Sequence, residues 1–206
     1  MSEGRSTAVA LADYGAGNMR SVCSALARAG AAPVVTSDPA EVLDAPLAVI
    51  AGVGHTASAA RELERRGLAE PIRARVALGR PVFGICVGMQ LLFEDSEEGG
   101  TGLGLLSGPV RRLRAARVPH MGWNELAARA DSVLFTPLHG ADVYFAHSYA
   151  CVPDDETVVA AETDHDGRVV AAVERGPLAG VQFHPERSGA AGARLLEGVL
   201  AWSRSA

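Results

Sequence analysis

The chain has 206 residues, 48% hydrophobic and 21% charged, which suits one soluble α/β domain spanning residues 1–206. A formal net charge of −5 offers no basic surface for nucleic acid, and all 19 basic residues are arginine, which excludes Schiff-base chemistry and a lysine-bearing phosphate loop. The three cysteines, Cys23, Cys86 and Cys151, show neither a disulfide framework nor a zinc spacing, so a reducing cytoplasm is expected. Neither a signal peptide at Met1–Ser6 nor a membrane span is expected.

In chain order, Thr7–Ala12 predicts a first strand running into the turn Asp13-Tyr14-Gly15-Ala16-Gly17-Asn18. A helix over 19–29 follows, stopped by Gly30. Strands are expected at 33–36 and 45–51, the latter opening into a second glycine-rich loop, Gly52-Val53-Gly54-His55. Such a loop at a strand's C-terminal end sits where open α/β sheets bind ligands. His55 reads as an exposed helix-start residue. Helices are expected at 57–66 and 70–78. Pro81–Ile85 predicts a strand and Met89–Phe93 the start of a helix. Glu94–Gly100 reads as a solvated acidic loop. This alternation predicts a parallel, doubly wound sheet.

The second half changes pattern. Short strands at 110–113, 143–150, 157–161, 169–174 and 179–183 suggest an antiparallel addition to that sheet. Val118-Pro119-His120-Met121-Gly122-Trp123-Asn124 reads as a polar-aromatic loop suited to a binding edge. Ser188 is placed to cap a last helix over 189–202.

The chemistry concentrates in two motifs. Gly84-Ile85-Cys86-Val87-Gly88, between a strand and a helix, is the cysteine form of a nucleophile elbow. A helix N-terminus favours the thiolate, the nucleophilic form of Cys86. The amides of Val87 and of the Gly52–Val53 loop are candidates for an oxyanion hole. Ninety-eight residues on (184 − 86), Gln182-Phe183-His184-Pro185-Glu186 ends a strand. Residues two apart in extended chain point the same way, so Glu186 can orient and charge His184. Each motif alone is weak; together they form a nucleophile with its base and orienter. His147, in Phe145-Ala146-His147-Ser148-Tyr149, suits a hydrogen-bonded structural role better than a catalytic one.

The pair Gly-Ile-Cys-Val-Gly-Met-Gln and Gln-Phe-His-Pro-Glu resembles the class I (triad) glutamine amidotransferases over nearly the whole chain. The resemblance implies a Cys86, His184, Glu186 triad, glutamine held by Gln90, Ser148 and Tyr149, and neither metal nor organic cofactor. Three stretches, 13–18, 119–124 and 145–149, are similar to family members that feed ammonia to a (β/α)8-barrel cyclase as a heterodimer in histidine biosynthesis. That resemblance implies partner contacts through Pro119, Met121, Trp123, Asn124, Tyr144 and Arg187. Three departures stand out: Ala51 where proline usually precedes Gly-Val-Gly, Val87 for leucine, and Arg187 for lysine. The alternatives are a glutaminase subunit of another synthase, such as that of pyridoxal phosphate, a partner-free γ-glutamyl hydrolase, and a non-enzymatic cysteine sensor.

Overall fold

The structure, a computed structural model, describes residues 6–15 and 17–205. Ala16 of the first glycine turn, Met1–Arg5 and Ala206 lie outside the described residues. In chain order the elements are β1 (Thr7–Ala12), α1 (Met19–Arg28), β2 (Ala31–Thr36), α2 (Pro39–Asp44), β3 (Leu47–Gly52), α3 (Thr56–Arg65), α4 (Ala69–Ala77), β4 (Val82–Cys86) and α5 (Val87–Gln90). There follow β5 (Asp95–Ser96), β6 (Pro109–Arg112), β7 (His120–Glu125), β8 (Ala127–Ala128), β9 (Asp142–His147), β10 (Tyr149–Cys151), β11 (Val159–Asp164), β12 (Arg168–Arg175), β13 (Leu178–Val181) and α6 (Gly189–Trp202).

Among the described residues, eight strands form one sheet in the order β2-β1-β3-β4-β13-β12-β11-β8. The strands from β2 to β13 pair in parallel; β12, β11 and β8 are added antiparallel. This is the expected doubly wound sheet with its antiparallel extension. Every residue of β3 and β4 is buried, because helices cover both faces of the parallel half. Pro33 is tolerated in β2 because β2 is an edge strand. Asp38 starts α2 by accepting the Ala40 N–H at 2.8 Å, with Pro39 in the first turn.

The order turns back at β1, with β2 on one side and β3 on the other. The crevice at such a reversal opens at the C-terminal strand ends, where the two glycine turns and the elbow lie. Register does the rest: Gly52 pairs with Cys86, and Ile85 with Val181. The glycine loop and the Gln182–Glu186 segment therefore flank the elbow on neighbouring strands.

Four local expectations are corrected. Residues 120–125 are not a loop; they form β7, antiparallel to β9. The expected strand 143–150 breaks at Ser148 into β9, which pairs with β7, and β10, which pairs with β6. The helix after the elbow starts at Val87 and lasts one turn. Ser188 does not cap α6, since its hydroxyl accepts the Tyr144 N–H and donates to the His184 carbonyl. No helix among the described residues is long and apolar enough to cross a membrane.

Candidate active site

The elbow is strained as its sequence demands. Cys86 sits at φ 55°, ψ −110°, a region that side chains other than glycine rarely occupy. The flanking glycines are required by close approach. A Cβ on Gly84 would stand 2.6 Å from the Gly88 carbonyl oxygen, and one on Gly88 would stand 1.8 Å from that of Ile50. α5 is thus pressed onto β3 and β4 hard enough to hold Cys86 at the mouth of the crevice.

His184 follows β13, and its backbone N–H is anchored by the Tyr144 carbonyl at 2.8 Å. Pro185 is held in a short helical turn that returns Glu186 beneath the imidazole, with Glu186 Oε1 2.9 Å from His184 Nδ1. Both side chains are buried. Burial opposes a charged imidazole, but hydrogen bonds to the Cys86 sulfur and the Glu186 carboxylate outweigh it and push His184 up to about 10. The ring therefore holds a proton next to the sulfur at neutral pH.

Three contacts at this centre escaped the sequence reading. Asn18, at φ 75° before α1, leaves its own helix uncapped and donates its amide to Glu186 Oε1 at 2.6 Å. Glu186 Oε2 is buried with no hydrogen-bond partner among the described residues. Gln182 Nε2 lies 3.6 Å from the Cys86 sulfur. Tyr14, buried under the glycine loop, donates to the Ala51 carbonyl at 2.9 Å, and its phenol is held protonated by burial and then by the Cys86 charge. A Cβ on Gly52 would stand 2.0 Å from that hydroxyl, so the Tyr14 contact requires glycine there.

In front of Cys86 lies a cavity of about 400 Å³. Val53, Val87, Gln90, Ser148 and Tyr149 line it, as do Pro119 and Met121, both expected from the sequence to contact a partner. Gln90 is fixed on all sides: its Oε1 accepts from Thr56 at 2.8 Å, and its Nε2 reaches the Tyr149 carbonyl at 2.9 Å and Gln182 Oε1 at 3.0 Å. Glu98 also lines the cavity, against its reading as a solvated residue. Its carboxylate accepts the Thr56 N–H at 2.6 Å and sits 2.7 Å from Nδ1 of His55, which is exposed as expected. Trp123, Tyr144 and Arg187 lie outside the cavity in one stack. The Arg187 guanidinium is 4.2 Å from the Tyr144 ring, against which Trp123 packs edge-on. Asn124 turns away, donating to the Asp164 carbonyl at 2.7 Å.

A parallel sheet with a cysteine elbow, and a charged histidine held between that sulfur and a carboxylate, defines a cysteine-nucleophile enzyme of the triad type. The model of the family "Glutamine amidotransferase class-I" matches residues 10–200. The chain is 46% identical over 193 residues to the imidazole glycerol phosphate synthase subunit HisH of Moorella thermoacetica, covering 92% of each. It is also 46% identical over 209 residues to HisH of Zymomonas mobilis, covering 96% of this chain and 97% of that one. The fold matches a crystal structure of a glutamine amidotransferase with TM-score 0.76 at 21% identity, covering 95% of this chain and 98% of that one. It matches PurLQS from Thermotoga maritima equally, with TM-score 0.76 at 21% identity over 96% and 99%. The chain belongs to the class-I glutamine amidotransferase family, in its HisH branch.

Proposed function

We propose that this chain is the glutaminase subunit of an imidazole glycerol phosphate synthase, working in the cytoplasm as one domain. It hydrolyses L-glutamine to glutamate and hands the ammonia to the (β/α)8-barrel cyclase subunit HisF in a heterodimer. The observation that carries this reading is the buried His184–Glu186 pair, 2.9 Å apart, at the end of the strand beside the strained Cys86 elbow.

The glutamine side chain enters the cavity with its amide over Cys86. The thiolate attacks the amide carbon, and the carbonyl oxygen becomes an oxyanion held by the Val87 N–H and the Gly52–Val53 loop. One such donor is worth about 3 kcal/mol. His184 gives its proton to the departing nitrogen, releasing ammonia and leaving a γ-glutamyl thioester on Cys86. Water, deprotonated by His184, then attacks the thioester, freeing glutamate and restoring the thiolate beside the protonated His184. As written, the reaction uses no metal or organic cofactor. Glu186, held by Asn18, keeps the imidazole oriented throughout. Gln90 and the Ser148–Tyr149 backbone hold the substrate, and the half-buried Glu98 carboxylate is placed for its α-ammonium group.

The partner is proposed to seat on β7, where Met121 and Trp123 are 64% and 58% exposed beside the Tyr144–Arg187 stack. Pro119 and Met121 line the cavity at this same edge, so ammonia formed there meets the partner before bulk water. The relatives' synthase activity supplies the ammonia's destination: a ribonucleotide that becomes imidazole glycerol phosphate and aminoimidazole carboxamide ribotide.

The test is glutamate release from glutamine by the purified chain, with and without the cognate cyclase and its ribonucleotide ligand. A large ligand-dependent rise, absent in Cys86→Ser, is expected. A Cys86-dependent rate indifferent to the cyclase would move the chain to another pathway.

A further inference from the structure

The two faces of β7 carry opposite chemistry. Met121 and Trp123 face solvent, while His120 is buried and stacked between Phe145 and His165 at ring distances of 4.4 and 4.0 Å. His120 Nδ1 lies 3.0 Å from Nε2 of His147 in β9. His147 Nδ1 lies 2.8 Å from the carbonyl oxygen of Tyr149.

Hydrogen-bond bookkeeping fixes the protons. A carbonyl only accepts, so His147 carries its proton on Nδ1. In the neutral ring Nε2 then accepts, and its donor is the Nδ1–H of His120. That leaves His120 Nε2 as an acceptor, facing Asn124 Nδ2 at 3.4 Å. Asn124 cannot turn its oxygen toward the ring, because its amide also donates to the Asp164 carbonyl while its Oδ1 accepts the Glu125 N–H at 2.9 Å. A single tautomer of each ring satisfies every contact. Burial pushes His147 down to about 3, and burial with the neighbouring His165 pushes His120 down to about 4, so both rings stay neutral in use.

The Tyr149 carbonyl that ends this chain is the one that accepts from Gln90. Gln90 in turn donates to Gln182, whose amide faces the Cys86 sulfur. Hydrogen bonds thus run unbroken from the inner face of the exposed strand to the nucleophile. We propose that His147 and His120 are positioning residues for glutamine hydrolysis, a tautomer-locked pair that ties β7 to the Tyr149 carbonyl and, through Gln90, to the Cys86 pocket. The proposal rests on the glutaminase reading. Its consequence is that a shift of β7, the strand exposed for a partner, is transmitted to the substrate pocket by hydrogen-bond geometry rather than by packing alone.

The first test is nitrogen-15 NMR of the imidazoles in the full wild-type chain at neutral pH. Both His147 and His120 are expected as neutral Nδ1–H tautomers. A proton on Nε2 of His147, or a charged ring, overturns the proposal, and this readout needs neither a variant nor turnover. The second test is a double-mutant cycle. His120→Phe keeps the ring stack but deletes the donor, and is expected to raise the glutamine KM about threefold. His147→Phe removes one of the two donors to the Tyr149 carbonyl, leaving only Gln90, and is expected to raise KM about tenfold. The double variant is expected to match His147→Phe, because the two bonds act in series. Additive effects, or an unchanged KM in folded His147→Phe, overturn it. A wild type without glutaminase activity would instead sink the functional reading, while the tautomers are judged by NMR alone.

Discussion

The two ends of the central parallel strands each bury a charge, and they do so in opposite ways. At the N-terminal end, Arg75 of α4 is wholly buried. Its guanidinium donates to the carbonyls of Val42, Leu43 and Ala45 through Nη1, and to those of Pro46 and Pro81 through Nη2. These are the spare carbonyls at the end of α2 and the approaches to β3 and β4, where a cation is favoured. Burial lowers Arg75 only to about 10, so it stays charged, with both terminal nitrogens engaged and Nε alone lacking a hydrogen-bond partner among the described residues. At the C-terminal end, His184 is buried as well, but its partners are a nucleophilic sulfur, which competes for its proton, and a carboxylate that orients it, on a strained backbone. Burial alone does not make a charge reactive. A charge ringed by carbonyls is structural; one shared with a nucleophile has somewhere to send its proton.

Two substitutions break that contrast from either side, and the larger effect is expected at the site. Glu186→Gln should cut glutamine turnover roughly 10³- to 10⁴-fold by misorienting the imidazole, while moving stability by no more than about 2 kcal/mol. Arg75→Leu should do the reverse. It strands buried carbonyls and should cost about 3–5 kcal/mol of stability, while turnover per folded molecule stays within about twofold. Urea unfolding and a glutaminase assay on both variants measure this. A stable but inactive Arg75→Leu protein would erase the distinction.

A smaller effect sharpens it. Asn18 leaves its helix uncapped in order to hold Glu186. Asn18→Gly keeps the left-handed backbone comfortable and removes only the amide; Asn18→Ala removes the amide and adds backbone strain of about 1 kcal/mol. Turnover should fall about tenfold in both, and thermal stability chiefly in the alanine variant. Turnover lost only with alanine would make Asn18 a backbone device rather than an orienter.

How far the sequence reaches follows the same physics. The parallel half was legible because strands buried on both faces are continuous apolar runs, as in Leu47–Gly52, and because the elbow's tight approach demands Gly84 and Gly88. The Cys86, His184 and Glu186 cluster was legible because each half of it lies within one short motif. β7 was not, because its alternation is inverted: the apolar Met121 and Trp123 face outward, while the polar His120 is buried. Pro119 and Gly122 completed the disguise of a loop. Asn18 meets Glu186 across 168 residues of sequence, and Glu98 meets Thr56 across 42. Local pattern carries no trace of such contacts, so an acidic loop was read as solvated when one of its carboxylates closes the cavity.

The most direct measurement is mass spectrometry of the intact chain after exposure to an electrophilic glutamine analogue. The other cysteines offer internal controls, since burial raises the thiol of Cys151 well above its usual range and also raises that of Cys23. The account predicts one adduct, on Cys86, formed in competition with glutamine and lost or strongly slowed in Glu186→Gln. An adduct on Cys23 or Cys151 instead, or labelling of Cys86 that ignores both glutamine and Glu186, would contradict it.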